Sequence, residues 1–326
     1  MIQLPEMKQS LPMSLHGGSW STTTQVWEML SASRDGDLQR VNALIESCPG
    51  LSSCQYNYTP PLHFAVREGH LSLVKQLVSL GALNPSYKTY PFLESLITVA
   101  DDRGYSEIAQ FLQESLQTPG VAQEKGDTGT IEYDFDETTK SFQKAVNNNK
   151  LKDVKRFLTD RPELALNELA SWGEGILAVP ANRGDRAMLE LLMEYDARVP
   201  SVTKWGRAYY FKRYEIAKFL IENGMNANHV SWQRVTMLHD MAHEGDIPKA
   251  RLLLDHGADI NLIDDEYQST PLGFAARWGH RPMVKFLLER GADPNKSGAE
   301  WSTPLVWALK RGHTDIVTDL KSAGAV

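Results

Sequence analysis

Apolar positions recur along this chain at two nested spacings. Within short stretches they follow the helical period, as in Leu73, Val74, Leu77 and Val78, or Val284, Leu287 and Leu288. Over longer distances the whole pattern returns about every 33 residues. Aligning the units on one apolar position gives Met29, Leu62, Ile97, Phe142, Leu177, Trp205, Leu238, Leu272 and Leu305. The intervals are 33, 35, 45, 35, 28, 33, 34 and 33 residues. Fifteen residues further on, the column reads Leu44, Leu77, Leu112, Phe157, Leu192, Leu220, Leu253, Leu287 and Leu320. A period of this length predicts a stacked solenoid, in which each unit buries its apolar face only against its neighbours.

The polar and small positions punctuate each unit. Thr236, Thr270 and Thr303 stand two residues before the reference position, where a hydroxyl can accept an orphan N–H at a helix start. Pro271 and Pro304 follow at the first helical position, where no N–H is needed. Seven residues past the reference the column is Gly in seven of nine units, with Asn149 and Lys212 as exceptions. Glycine there ends a short helix with positive φ. A reversal and a longer helix complete the unit, and a turn such as 261–268 leads to the next cap.

The phrases TPPLHFAVREGH (59–70), STPLGFAARWGH (269–280) and STPLVWALKRGH (302–313), with GAD at 257–259 and 291–293, resemble the ankyrin repeat family. The resemblance covers roughly residues 26–326. It implies an all-α fold: an α-solenoid of about nine stacked ankyrin-like helix-turn-helix units with hairpin or turn fingers. It also implies a concave binding face made of finger tips and short inner helices.

Four segments are expected. Residues 1–25 form a Ser/Thr-rich lead without fixed structure unless it docks on the first unit. Residues 26–116 hold repeats 1–3. Residues 117–137 form an acidic, Gly-rich loop or hinge, read here as an enlarged loop in an unbroken stack. Residues 138–326 hold repeats 4–9. Three features disturb the later units. The 28-residue interval removes about five residues from the turn before Trp205, so the finger Arg198–Thr203 should be short or absent and leave a notch. Pro180 should kink or shorten its helix, and Lys212 must take a strained positive φ or change the turn.

Composition narrows the function. The net charge is −7, with 34 Lys and Arg against 41 Asp and Glu. That argues against a phosphate backbone as the partner. Cys48 and Cys54 are expected as free thiols, and no zinc spacing surrounds them. No signal peptide and no membrane-length apolar run stand out, so a cytoplasmic monomer without cofactor or metal is expected. No phosphate loop, HExxH or nucleophile elbow is found. His63, His70, His239, His256, His280 and His313 occupy turn and stop columns, where structural roles are expected.

Columns five and six past the reference vary freely among units, as a surface should. They include Arg67, Arg183, Tyr210, Phe211, Arg277 and Trp278. The turns add Trp172, Trp232, Tyr267 and Trp301. Exposed Trp, Tyr and Arg dominate protein interfaces, and these ten residues are the expected partner-binding set. The expected function is a non-catalytic scaffold or adaptor that binds another protein. The alternative is an enzyme, or a small-ligand or nucleic-acid groove, in the irregular repeats 5–7.

Overall fold

The computed structural model describes residues 1–15, 18–118, 120 and 129–326. They fall into two compact units, Pro5–Asp134 and a second made of Met1–Leu4 with Phe135–Val326. The boundary lies inside the 117–137 segment, of which residues 119 and 121–128 are outside the described residues.

Among the described residues nine helix pairs follow one another. The first unit holds α1 (Thr23–Asp35) with α2 (Leu38–Ser47), α3 (Pro61–Arg67) with α4 (Leu71–Ser79), and α5 (Leu96–Asp102) with α6 (Ser106–Gln117). The second holds α7 (Glu137–Asn147) with α8 (Leu151–Asp160), then the single turn α9 (Ala170–Gly173). It continues with α10 (Ala178–Arg183) and α11 (Arg186–Glu194), α12 (Gly206–Tyr210) and α13 (Tyr214–Glu222), and α14 (Met237–Glu244) and α15 (Ile247–Asp255). The last pairs are α16 (Pro271–Arg277) with α17 (Arg281–Glu289) and α18 (Pro304–Lys310) with α19 (Thr314–Ser322). Within each unit short helices pack on the next short helices, as α14 on α16 and α16 on α18. Long helices do likewise, as α17 on α19. The leucines of the fifteenth column lie in this seam, all buried. Each such leucine contributes about 2 kcal/mol of apolar transfer.

The punctuation acts as its chemistry predicts. The Thr236, Thr270 and Thr303 hydroxyls accept the N–H groups of His239, Gly273 and Val306. Pro271 and Pro304 open their helices. The irregular positions resolve differently from one another. Helix α10 starts at Ala178, so Pro180 is its third residue, where the N–H has no intrahelical acceptor in any case. The helix is shortened to six residues. Lys212 avoids positive φ; α12 ends at Tyr210 after five residues, and the turn changes instead.

A second use of the glycine column was not apparent in the sequence. The residue after the glycine reaches back to the preceding repeat and donates to its carbonyl two residues before that repeat's own glycine. His70 Nε2 lies 2.8 Å from Arg34 O, His280 Nε2 2.7 Å from His243 O, and His313 Nε2 3.2 Å from Arg277 O. Each ring lies over the glycine of the repeat it reaches. A Cβ on Gly36, Gly245 or Gly279 would stand 2.6 to 2.9 Å from the nearest atom of that ring. In repeat 6, Arg213 takes the histidine's place, its Nε donating to Asn182 O at 3.0 Å with its stem against Gly184.

The lead is docked rather than loose. In the first unit a 3-10 helix, Pro5–Lys8, precedes β1 (Pro12–Ser14), which pairs antiparallel with β2 (Trp20–Thr22). Met13 also bridges Ile131, and Met7, Met13 and Leu15 are buried. The buried Glu6 carboxylate accepts the Tyr56 hydroxyl at 2.8 Å. In the second unit the Ile2 N–H donates to Trp232 O at 2.7 Å, and the Met1 amine meets Asp265 at 2.7 Å.

At the shortened turn, β3 (Val202–Thr203) pairs parallel with β4 (Val230–Ser231) of the next finger. Beside this shortened turn a cleft of about 220 Å³ is lined by Arg198–Ser201 together with Leu177, Met193 and Leu220.

Candidate partner-binding face

The ten residues expected to meet a partner separate into two groups. Trp172 is 60% exposed at the single turn α9, where Ser171 and Trp172 both take positive φ, at 54° and 62°. Left-handed backbone in two non-glycine residues is costly and persists only where the surroundings impose it. Here the Trp172 carbonyl accepts the Lys204 ammonium at 2.6 Å, and Glu174 two residues on is buried. Arg183 is half-buried, its Nη1 donating to Asn147 O and its Nη2 to Asp185. Trp278 and Trp301 are half-buried.

The other six are internal, which corrects the expected exposure of each. Arg67 is buried, pairing with Glu68 and lying 4.8 Å from the Phe64 ring. Tyr210 is buried and its hydroxyl donates to the Glu174 carbonyl; Phe211 beside it is buried too. Glu174 Oε1 in turn accepts the N–H groups of Lys204 and Trp205 at 2.6 and 2.9 Å, closing that finger. Trp232 is 1% exposed, and its backbone N–H donates to Thr203 O at 3.1 Å. Tyr267 is turned inward by Asp264, whose carboxylate accepts the N–H groups of Glu266, Tyr267 and Ser269 at 2.7, 2.7 and 2.9 Å. Arg277 is 2% exposed. Its guanidinium lies 4.8, 5.2 and 4.1 Å from the ring centres of Tyr267, Trp278 and Trp307, a cation held by aromatic faces. These side chains are aromatic or long because each finger packs on its neighbour one repeat away, and that neighbour is about 33 residues distant in sequence.

The electrostatics of the face follow from this packing. His239 is buried, its Nδ1 against the Thr236 hydroxyl at 2.7 Å and its Nε2 3.1 Å from Ser269 O of the next repeat. Burial pushes its imidazole down to about 4. Burial does the same to His229, which lies 2.9 Å from the Thr203 hydroxyl. It also pushes the Asp264 carboxyl up to about 7, against the pull of its backbone donors. On the short-helix face, Arg207 pairs with Glu244 at 2.9 Å. Beside them burial raises Asp240 to about 7. His243, edge-on to Trp278 at 4.6 Å, is lowered to about 4, first by burial and then by Arg207 and His280.

Sequence reasoning missed several surface residues. Leu309 is 56% exposed on α18, and Lys212 and Arg213 are exposed at the open end of α12. The signal for Lys212 and Arg213 was available as a run of cations without carboxylates. The cleft at the shortened turn contributes Arg198 and the uncharged His229 to its lining. Among the described residues no group of three or more His, Cys, Asp or Glu is placed to hold a metal ion. Cys48 and Cys54 are free thiols, and burial pushes that of Cys54 up. No helix among the described residues is long and apolar enough to cross a membrane.

Stacked helix pairs, αL glycine stops and fingers beside short inner helices define a helical repeat protein. Sequence models of the ankyrin repeat match residues 57–90 as a single repeat, 205–298 as three copies and 282–320 as part of a longer array. The chain belongs to the ankyrin repeat family. Among curated proteins it is similar to the palmitoyltransferase AKR1 of Lachancea kluyveri, 32% identical over 108 residues. That match covers 32% of this chain and 15% of the relative. The palmitoyltransferase ZDHHC13 of Mus musculus is 34% identical over 88 residues, 27% of this chain and 14% of its own length. A transient receptor potential cation channel subfamily A member 1 homolog of Caenorhabditis elegans is 32% identical over 111 residues, 34% of this chain and 9% of its own length. The matches thus span less than a sixth of each of these relatives.

Proposed function

We propose that the chain is a non-catalytic scaffold or adaptor that binds another protein along the fingers and short helices of repeats 5–9. The observation that carries this reading is the contrast between the two sides of the repeat. The fifteenth-column seam is leucine in eight of nine units. The short-helix ends and finger tips instead present Trp172, Arg183, Trp278, Trp301 and Leu309, in columns that hold no single residue type. A surface free of shared packing demands, carrying partly exposed Trp and Arg, has the composition of interface hot spots. The reading includes a monomer in the cytoplasm, with no cofactor and no nucleic-acid partner.

Alanine replacement of Trp172, Trp278 and Trp301 in the full chain, followed by affinity capture from the native host, tests it. The expected result is loss of the proteins captured by the wild-type chain, with thermal stability unchanged for Trp172→Ala. Retention of the same proteins by all three variants would place the interface elsewhere.

A further inference from the structure

The molecule carries more carboxylates than cations, yet one stretch reverses the sign. Between Asp196 and Glu215, residues 197–214 hold five cations, Arg198, Lys204, Arg207, Lys212 and Arg213, and no carboxylate. The rest of the chain is left with 29 cations against 41 carboxylates. A basic run is ordinarily a solvated face, but this one is folded around the short helix of repeat 6. Lys204 precedes α12, Arg207 lies on it, and Lys212 and Arg213 close its open end.

The state of the last two separates them from ordinary surface charges. Both are exposed, and among the described residues neither has a carboxylate within ion-pair distance. Both are nevertheless anchored. Arg213 donates its Nε to Asn182 O at 3.0 Å, with its stem on Gly184, and Lys212 Nζ reaches Asn182 Oδ1 at 3.3 Å. At this position in repeats 2, 8 and 9 a histidine makes the same backward bond. Repeat 6 therefore retains the structural contact and adds a permanent charge that the contact does not require. A guanidinium fixed through Nε holds its two Nη groups oriented, which is the geometry that receives a carboxylate bidentately.

We infer that the short-helix face of repeats 5 and 6 docks an acidic polypeptide segment, its carboxylates received by Arg213 and Lys212. This deepens the protein-binding reading above and rests on it. A short acidic peptide matches a basic patch confined to one repeat. A nucleic acid would carry its regular phosphate charge past the patch and onto the acidic remainder of the chain, where repulsion opposes it.

The test uses the full-length chain and fluorescence anisotropy at low and physiological salt. Three fluorescein-labelled probes are compared: a twelve-residue peptide of Glu and Asp with one central Trp, its Gln and Asn counterpart, and a twelve-nucleotide oligo-dT. The expected result is binding of the acidic peptide alone, weakened by salt. Lys212→Glu with Arg213→Glu should weaken it at least tenfold, whereas Lys152→Glu with Lys155→Glu on α8 leaves it unchanged. Binding of oligo-dT in preference to the peptide, equal losses in the two charge-reversed variants, or no binding of the acidic peptide would overturn the inference. If the peptide fails while Trp172, Trp278 and Trp301 still govern capture of host proteins, the protein-binding reading stands and only the acidic partner falls.

Discussion

Replacing Gly279 by alanine perturbs two things at once, and the same change at Gly312 perturbs only one. Both glycines end a short helix, with φ of 77° and 72°. At either site a Cβ costs about 1 kcal/mol for left-handed backbone. At Gly279 the new Cβ would also stand 2.7 Å from His313 Cε1 and 3.0 Å from its Nε2, far inside van der Waals contact. The ring must move, and its 3.2 Å bond to Arg277 O is lost with it. A hydrogen bond of this kind contributes about 1 kcal/mol net. Gly279→Ala should therefore cost about 2 kcal/mol. Gly312→Ala, with nothing within 4 Å of its Cβ, should cost about 1 kcal/mol. Urea unfolding followed by far-ultraviolet circular dichroism gives both values, provided the slope with denaturant is unchanged. A double-mutant cycle isolates the contact: with His313→Ala already present, Gly279→Ala should fall to the cost of Gly312→Ala. Gly245→Ala, facing the His280 ring at 2.9 Å, repeats the experiment away from the terminal repeat. Equal losses at Gly279 and Gly312, or no coupling to His313, would refute the claim that the histidine ladder joins successive repeats.

The remaining predictions use the buried polar and aromatic groups of the fingers. His239 titrates near 4 in the folded chain against 6.5 as its ordinary value, so the unfolded chain binds the extra proton first. Its contribution to stability is complete above about pH 6.5 and is lost as the pH falls toward 4; the gap between wild type and His239→Gln should narrow by about 2 kcal/mol between pH 7.5 and pH 5. A gap in urea midpoint free energies that stays constant with pH would mean that His239 is not held neutral. Asp264→Ala leaves three buried backbone N–H groups without their acceptor and should cost about 3 kcal/mol or more in thermal or urea unfolding, with Asp264→Asn losing less. Trp232→Ala should cost about 3 to 5 kcal/mol as a core truncation. Trp172→Ala should change stability by less than about 0.5 kcal/mol while still reducing partner capture. The reverse order would exchange their structural roles.

How much of this was legible depended on the range of the interaction. Thr236, Thr270 and Thr303 cap helices through atoms three residues away, so their roles could be read from local chemistry. The leucine seam was legible because it repeats nine times. Arg277 was read as a surface residue because its column varies, and Tyr267 because it is an aromatic in a turn. Both instead belong to a local aromatic cluster in which one finger packs on the next repeat's Trp307. Column variation shows freedom from a shared rule, and both solvent and a private packing solution provide that freedom. Trp172 differs from Trp232 in one respect the sequence does not display: its turn takes two left-handed residues that carry the indole outward. The lead 1–25 posed the same difficulty, since β1 and β2 pair locally but Met13 bridges Ile131 more than a hundred residues on.

The central claim is that the varied short-helix and finger face, and not the long-helix side with its repeated leucines, meets the partner. Site-specific photocrosslinking in the native host tests it most directly. p-Benzoylphenylalanine is placed singly at Trp172 and Trp278 on the proposed face, and at Lys152 on α8 and Lys285 on α17 of the long-helix side. The account predicts discrete protein adducts from positions 172 and 278 and none from 152 or 285. Adducts confined to positions 152 and 285 would contradict it.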